Sequence, residues 1–269
     1  MNKIILLCLV MLQLFSLSCA KKSSSNKREV RITEAQIQDV MGNQIFECAS
    51  LGGPCPSGIA RLLIINRFDP DRSAVCSGFM VSEKRLVTNH HCVATASQCA
   101  STYLAIYIGG NYEQSKCKRI IKTLQNSENP NDPNRSIDFT VMEIEGEYQS
   151  EHFSLSDTLA EAEDLIQAWV VDHTGLDQEP SNLTDSRISE FECRVMDQNE
   201  RASLVMMKCP IISGNSGSPA LNSRGRVIGV FWGGTALDID SSYNLFLRRR
   251  LDELALATEV NHFRNFVLK

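Results

Sequence analysis

From residue 59 onward the chain is written in short apolar runs, rich in β-branched and aromatic residues and bounded by Gly, Pro, Asn and Asp. That is the pattern of strands and turns rather than of helices. A first group of about six strands is predicted over residues 60–65, 75–81, 85–88, 104–108, 119–124 and 139–144. A second group of about six follows over 166–171, 188–196, 203–208, 220–221, 227–232 and 243–247. The stretch between them, 145–163, is acidic and lacks strand periodicity, so it reads as the connection between two domains. Helical spacing is found at the two ends. Residues 32–48 place Ile32, Ala35, Val40, Ile45 and Phe46 behind Thr33 and Gln36, which are spaced as a capping box. Residues 254–267 place Leu254, Ala257, Val260, Phe263 and Val267 on one helical face, which predicts a packed terminal helix.

The first 20 residues differ in kind. Lys3 precedes an apolar run over 4–15, and small residues follow before Lys21 and Lys22, as in a secretory signal. The run falls short of the roughly 20 apolar residues a membrane span needs. Two processing routes remain open: acylation of Cys19, followed by a Lys/Ser-rich tether, or simple cleavage after Ala20. Residues 1–19 are thus a signal peptide, 20–58 a tether and N-terminal segment, 59–150 a first domain and 151–269 a second.

Composition narrows the chemistry. A formal charge of −5 gives no general affinity for nucleic acid or anionic membrane, so membrane contact would come only through a lipid anchor. The short Arg248-Arg249-Arg250 triplet reads as a solvated strand end. Of the 10 cysteines, Cys8 and Cys19 fall in the signal, leaving an even number for disulfides in an exported chain. There is no CxxC pair, and His152, His173 and His262 are scattered, so no metal site or other cofactor is expected.

Two segments carry chemistry. Residues 76–93, CSGFMVSEKRLVTNHHCV, run through two strands into a histidine followed at once by cysteine. Residues 214–219, GNSGSP, surround Ser216 with small residues that leave its hydroxyl open, and the strand VIGVFWGG follows at 227–234. In this order, from about Ser57 to the C-terminus, the two segments resemble trypsin-like serine proteases, and most of all the bacterial glutamyl endopeptidase branch. Thr88-Asn89-His90-His91 is similar to that family's histidine motif, and Ser136-Ile137-Asp138-Phe139-Thr140-Val141 to its aspartate strand.

The resemblance implies an all-β fold of two six-stranded antiparallel β-barrels with a C-terminal α-helix. It implies a serine-type endopeptidase acting on protein or peptide substrates, which the signal segment would export and which is expected to be monomeric. His91 would be the base, Asp138 its orienting carboxylate and Ser216 the nucleophile, with the N–H groups of Gly214 and Ser216 as the oxyanion hole. His90 would point away from the centre, and Asp132 lies in a turn-rich loop rather than at a strand start. By the same resemblance Cys76 and Cys92 bridge the strands flanking the histidine loop; proximity in sequence pairs Cys48 with Cys55, Cys99 with Cys117, and Cys193 with Cys209.

The chain departs from the family at informative positions. Asn215 stands where trypsin has the aspartate that pairs with a freed N-terminal amine, and no activation site of that kind is present. The polar readers of glutamyl endopeptidases are replaced by Ile211 and Phe231. With Pro210, Trp232 and Gly234 as the other pocket residues implied, the side chain before the cleaved bond is expected to be uncharged. The alternative of a different class is a catalytically silent, surface-anchored binding protein on the same fold.

Overall fold

The computed structural model describes residues 33–42, 45–50, 52–66, 73–126, 137–148, 152–172, 185–199, 203–207, 209–234 and 255–268. The predicted signal and tether, Cys19, Asp132, His173, the strand expected at 243–247 and the arginine triplet lie outside these residues.

The first group of strands closes on itself. Strands β2 (Ile59–Ile64), β3 (Ala74–Ser82), β4 (Arg85–Thr88), β5 (Thr102–Ile108), β6 (Asn111–Gln125) and β7 (Asp138–Ile144) form a closed barrel in the order β2-β3-β4-β7-β6-β5. Alternation explains the closure: Leu62 and Ile64 of β2 point into the interior with Leu104, Ile106 and Met142. Their neighbours Leu63 and Ile65 point outward, where Ile37 and Met41 of helix α1 (Glu34–Gly42) cover them. That cover is why residues 62–65, after Arg61, read as a continuous apolar run. Each side chain so buried contributes about 1.5–3 kcal/mol, so α1 is held mainly by its apolar face. The expected capping box is present, with Gln36 N–H donating to Thr33 Oγ1 at 3.3 Å and Thr33 N–H to Gln36 Oε1 at 2.9 Å.

The second group departs from expectation. It is a seven-stranded sheet in the order β1-β9-β10-β13-β12-β11-β8, in which β9 also pairs with β8. Its members are β8 (Leu165–Asp172), β9 (Asp185–Asn199), β10 (Ser203–Met207), β11 (Pro219–Leu221) and β12 (Val227–Gly234), together with β1 (Ile45–Ala49) and β13 (Ala255–Glu259). The last two correct the sequence reading. The N-terminal helix stops at Gly42, and Ile45–Ala49 instead runs parallel to β9, so the sheet is not wholly antiparallel. The terminal helix is confined to α2 (Arg264–Val267) behind a 3-10 turn at Val260–His262. Ala255 and Ala257 point into the interior of the second sheet with strand periodicity. β13 fills the slot between β10 and β12, and two ladders of backbone hydrogen bonds outweigh helical spacing there.

An apolar layer joins the two halves: Phe79, Val87 and Phe139 of the barrel meet Trp169, Val230 and Val260 of the second half. The C-terminus returns across the barrel, where Phe263 packs 5.8 Å from Phe139, centroid to centroid, and Arg85 donates to the carbonyls of Phe266 and Val267. Disulfides join Cys48 to Cys55, Cys76 to Cys92, Cys99 to Cys117 and Cys193 to Cys209. The three longer loops, closed over sequence separations of 16, 18 and 16, are each worth about 3 kcal/mol by chain entropy. No helix among the described residues is long and apolar enough to cross a membrane.

Candidate active site

Asp138 opens β7 and is fully buried, which an ionised carboxylate tolerates only when its oxygens are satisfied. Its Oδ1 accepts the N–H of His90 at 2.6 Å and that of His91 at 3.2 Å. Its Oδ2 lies 2.8 Å from Nδ1 of His91. The backbone is anchored as well: Asn89 Nδ2 donates to the Asp138 carbonyl at 2.7 Å, and the Asp138 N–H donates to Thr258 Oγ1 at 2.8 Å. Thr258 sits on β13, the strand the helical spacing concealed. The turn after β4 therefore wraps the carboxylate and leaves the His91 side chain about one-third exposed, 34% against 0% for Asp138.

His90 faces elsewhere. Its Nδ1 lies 2.8 Å from Thr123 Oγ1, which is 2.6 Å from Thr140 Oγ1 on the barrel wall. The structure thus brings His91, and not His90, to the Asp138 carboxylate by its ring.

Ser216 is the second residue of the latter of two consecutive tight turns. The first runs from Ile212 to Asn215, closed by Asn215 N–H to the Ile212 carbonyl at 3.1 Å, with Gly214 at φ 92°. The second runs from Asn215 to Ser218, closed at 3.0 Å, with Gly217 at φ 96°. A positive φ at the third residue is the requirement of a type II turn, which explains the Gly-Asn-Ser-Gly spacing. Fully buried Asn215 fastens the first turn: Nδ2 donates to the Val171 carbonyl at 2.9 Å and Oδ1 accepts the Ile212 N–H at 2.9 Å. The amide Nδ2 thereby ties the loop to β8, while Oδ1 closes within the loop itself, and neither bond involves a terminal amine. The loop rests on β12 through Gly217 N–H to the Phe231 carbonyl at 2.8 Å and Phe231 N–H to the Ser218 carbonyl at 3.0 Å.

Ser77 joins the loop to the barrel, since its N–H donates to the Ser216 carbonyl at 2.7 Å. The preceding Cys76 is bonded to Cys92, whose neighbour is His91, and a ring nitrogen of His91 lies within 4.8 Å of both sulfurs. The segments bearing His91 and Ser216 therefore meet at one place. Those two sulfurs form a disulfide and offer no thiolate, so the cluster is not a metal centre.

The pocket residues expected from sequence separate. Ile211 and Phe231 are both buried in the interior of the second sheet, Trp232 is nearly buried, and Pro210 is exposed. Gly234 pairs with Ala255 beyond a bulge at Phe231/Gly233. A cavity of about 430 Å³ lies elsewhere, between Pro54, Phe153, Trp169 and Arg226, and is lined by none of the three proposed catalytic residues. Sequence reasoning missed Ser77, Asn89 and Thr258, because a lone Ser, Asn or Thr carries no signal until the register of the strands gives it a partner.

Comparison with known proteins agrees with this architecture. No curated protein sequence matches the chain. Among solved structures, GrC is 13% identical with a TM-score of 0.56, the match covering 78% of this chain and 92% of that one. The scabies mite inactivated protease paralogue S-I1 is 10% identical with a TM-score of 0.55, over 78% and 92%. The active form of the Rv3671c protease from M. tuberculosis is 14% identical with a TM-score of 0.50, over 79% and 80%. At such identities the likeness is one of fold, and an inactivated paralogue shares it. The sequence itself goes further: residues 76–230, more than half of the chain, match the trypsin-like peptidase domain, and the chain belongs to that family.

Proposed function

We propose that the protein is an exported, monomeric serine endopeptidase that cleaves peptide bonds through an acyl-enzyme, with His91, Asp138 and Ser216 as its triad. The observation that carries this reading is the 2.8 Å contact between His91 Nδ1 and the buried Asp138 carboxylate, beside a glycine-rich loop that bears a serine. A carboxylate only accepts, so Nδ1 holds the proton and Nε2 keeps a lone pair for the Ser216 hydroxyl. On attack, Ser216 Oγ bonds to the substrate carbonyl carbon, its proton passes to His91, and the N–H groups of Gly214 and Ser216 receive the oxyanion. The imidazolium returns the proton to the leaving amine. Water then repeats the sequence to release the acid and restore the serine.

The four disulfides support an oxidising, exported setting, with acylation of Cys19 as the route to the cell envelope. In this reading residues 59–150 supply the base and its carboxylate and 151–269 supply the nucleophile, the second sheet acting as the second barrel of the pair. The GNSGSP loop resembles that of the glutamyl endopeptidase branch, whereas that branch's polar readers are replaced by Ile211 and Phe231, both buried in the sheet interior, so a Glu preference is not expected and uncharged residues are favoured.

A fluorophosphonate probe and a fluorogenic peptide library test the reading together. Wild type is expected to be labelled and to cleave after small or apolar residues, and Ser216→Ala is expected to lose both. A folded wild type that neither labels nor cleaves is a silent binding protein on this fold.

A further inference from the structure

Ser77 belongs to β3, in the barrel that carries His91, yet its polar atoms are turned toward the loop that carries Ser216. It is fully buried. Its N–H donates to the Ser216 carbonyl at 2.7 Å, and its hydroxyl lies 3.0 Å from the Gly214 carbonyl. A carbonyl only accepts, so the hydroxyl is the donor. Its own carbonyl is held by Thr88 Oγ1 at 2.7 Å, which fixes the residue that does the holding.

The position of the Gly214 carbonyl gives this contact its meaning. The two N–H groups assigned to the oxyanion belong to the Ser213–Gly214 and Asn215–Ser216 peptides. Between them lies the Gly214–Asn215 peptide, whose carbonyl the Ser77 hydroxyl grips. Gly214, at φ 92°, has no Cβ to lock its rotation, and glycine passes between the two hands of φ at little cost. Rotation of that central peptide would redirect the N–H on either side of it. The N–H of that peptide closes the first turn on the Ile212 carbonyl at 3.1 Å, and the hydrogen bond from a rigid barrel strand to its carbonyl adds a second hold that favours one orientation.

We propose that Ser77 is a positioning residue for oxyanion stabilisation, its hydroxyl holding the Gly214–Asn215 peptide so that the N–H groups of Gly214 and Ser216 converge on one point. This rests on the reading of Ser216 as nucleophile. Ser77→Ala removes a single oxygen and keeps both backbone contacts, so its effect falls on this bond alone.

The test compares wild type with Ser77→Ala, Ser77→Gly and Ser77→Thr, each normalised to its titrated active sites. It measures kcat and KM on a fluorogenic peptide and the inhibition constant of a peptide boronate, whose tetrahedral adduct carries the oxygen that the hole binds. In Ser77→Ala and Ser77→Gly, kcat is expected to fall about tenfold to a hundredfold with KM little changed, because the missing interaction acts in the transition state. Boronate affinity should fall by the same factor, and Ser77→Thr, which keeps the hydroxyl, should recover most of both. Wild-type kcat and boronate affinity in Ser77→Ala would overturn the assignment. So would a loss confined to the fraction of titratable sites, which marks a purely structural role. A wild type that neither hydrolyses the peptide nor reacts with a fluorophosphonate removes the peptidase reading itself, and the role of Ser77 falls with it.

Discussion

Oδ2 of Asp138 lies 2.8 Å from Nδ1 of His91, while Oδ1 of the same carboxylate accepts the His91 backbone N–H at 3.2 Å. One carboxylate thus fixes both the ring and the main chain of one histidine. Its orientation is set twice, and an ionised Asp138 would hold the ring proton on Nδ1, leaving Nε2 free to act on the proposed nucleophile.

This relationship can be reversed by a nearly isosteric change. In Asp138→Asn the amide oxygen can still accept the backbone N–H groups, but its NH2 faces the ring and forces the proton onto Nε2. A drop in kcat of about 10⁴-fold is expected with the fold retained, as for the same change in other triads. Steady-state kinetics beside a thermal melt measure it; near-normal turnover in a folded variant would exclude Asp138 as the orienting carboxylate.

His90 and His91 should separate sharply. His91→Ala removes the proposed base and is expected to abolish measurable turnover. His90→Ala deletes a ring that contacts Thr123, yet it keeps the backbone N–H that donates to Asp138 at 2.6 Å. A substantial fraction of wild-type kcat should remain. Equal losses in two folded variants would count against His91 as the base.

The residues proposed to carry chemistry were more legible than the elements that support them. His91, Asp138 and Ser216 sit in local motifs, and eleven of the observed strands, β2 to β12, fall on runs visible in the sequence. β13 escaped because Ala257, Val260 and Phe263 fit a helical face as well as they fit a strand followed by a turn. Only the open edges of β10 and β12 decide between the two, and those are tertiary facts. β1 escaped likewise, since Ile45 and Phe46 extend the apolar spacing of α1 until Gly42 ends the helix. Thr258 and Ser77 gain their roles from register alone.

Helix α1 offers a test in acid. The Glu34 carboxyl is held down to about 2 by hydrogen bonds from Gln38, Lys116 and Tyr103. A depressed carboxylate stabilises the fold above its unfolded value of 4.5, and that contribution disappears as pH falls from there toward 2. The Glu34 side chain is 45% exposed, so solvent screens the effect and the apolar contacts of Ile37 and Met41 remain the larger force. Wild type should melt slightly above Glu34→Gln at a pH of about 6, and the difference should vanish at a pH of about 2. A difference independent of pH would mean that the carboxylate charge is not its source.

Gly217 is a position at which the loop cannot accept a side chain. Its φ of 96° is strained for any residue with a Cβ. Space forbids one as well: a Cβ there would lie 1.9 Å from the Ser77 carbonyl oxygen and 2.6 Å from Thr88 Oγ1. Neither neighbour can yield cheaply, because Thr88 Oγ1 is already bonded to that carbonyl and the Ser77 N–H is bonded to Ser216. In Gly217→Ala the second turn would have to open or the loop to withdraw from the barrel, breaking the contact between Ser77 and Ser216. A loss of roughly 3 kcal/mol or more of stability is expected, combining strain with overpacking, together with loss of fluorophosphonate labelling. Gly225→Ala is the control, since that glycine also has a positive φ, 69°, but meets nothing within 4 Å. It should cost far less and leave labelling intact. Similar losses in the two variants would mean that backbone strain alone, and not the approach of Ser77, makes glycine necessary at position 217.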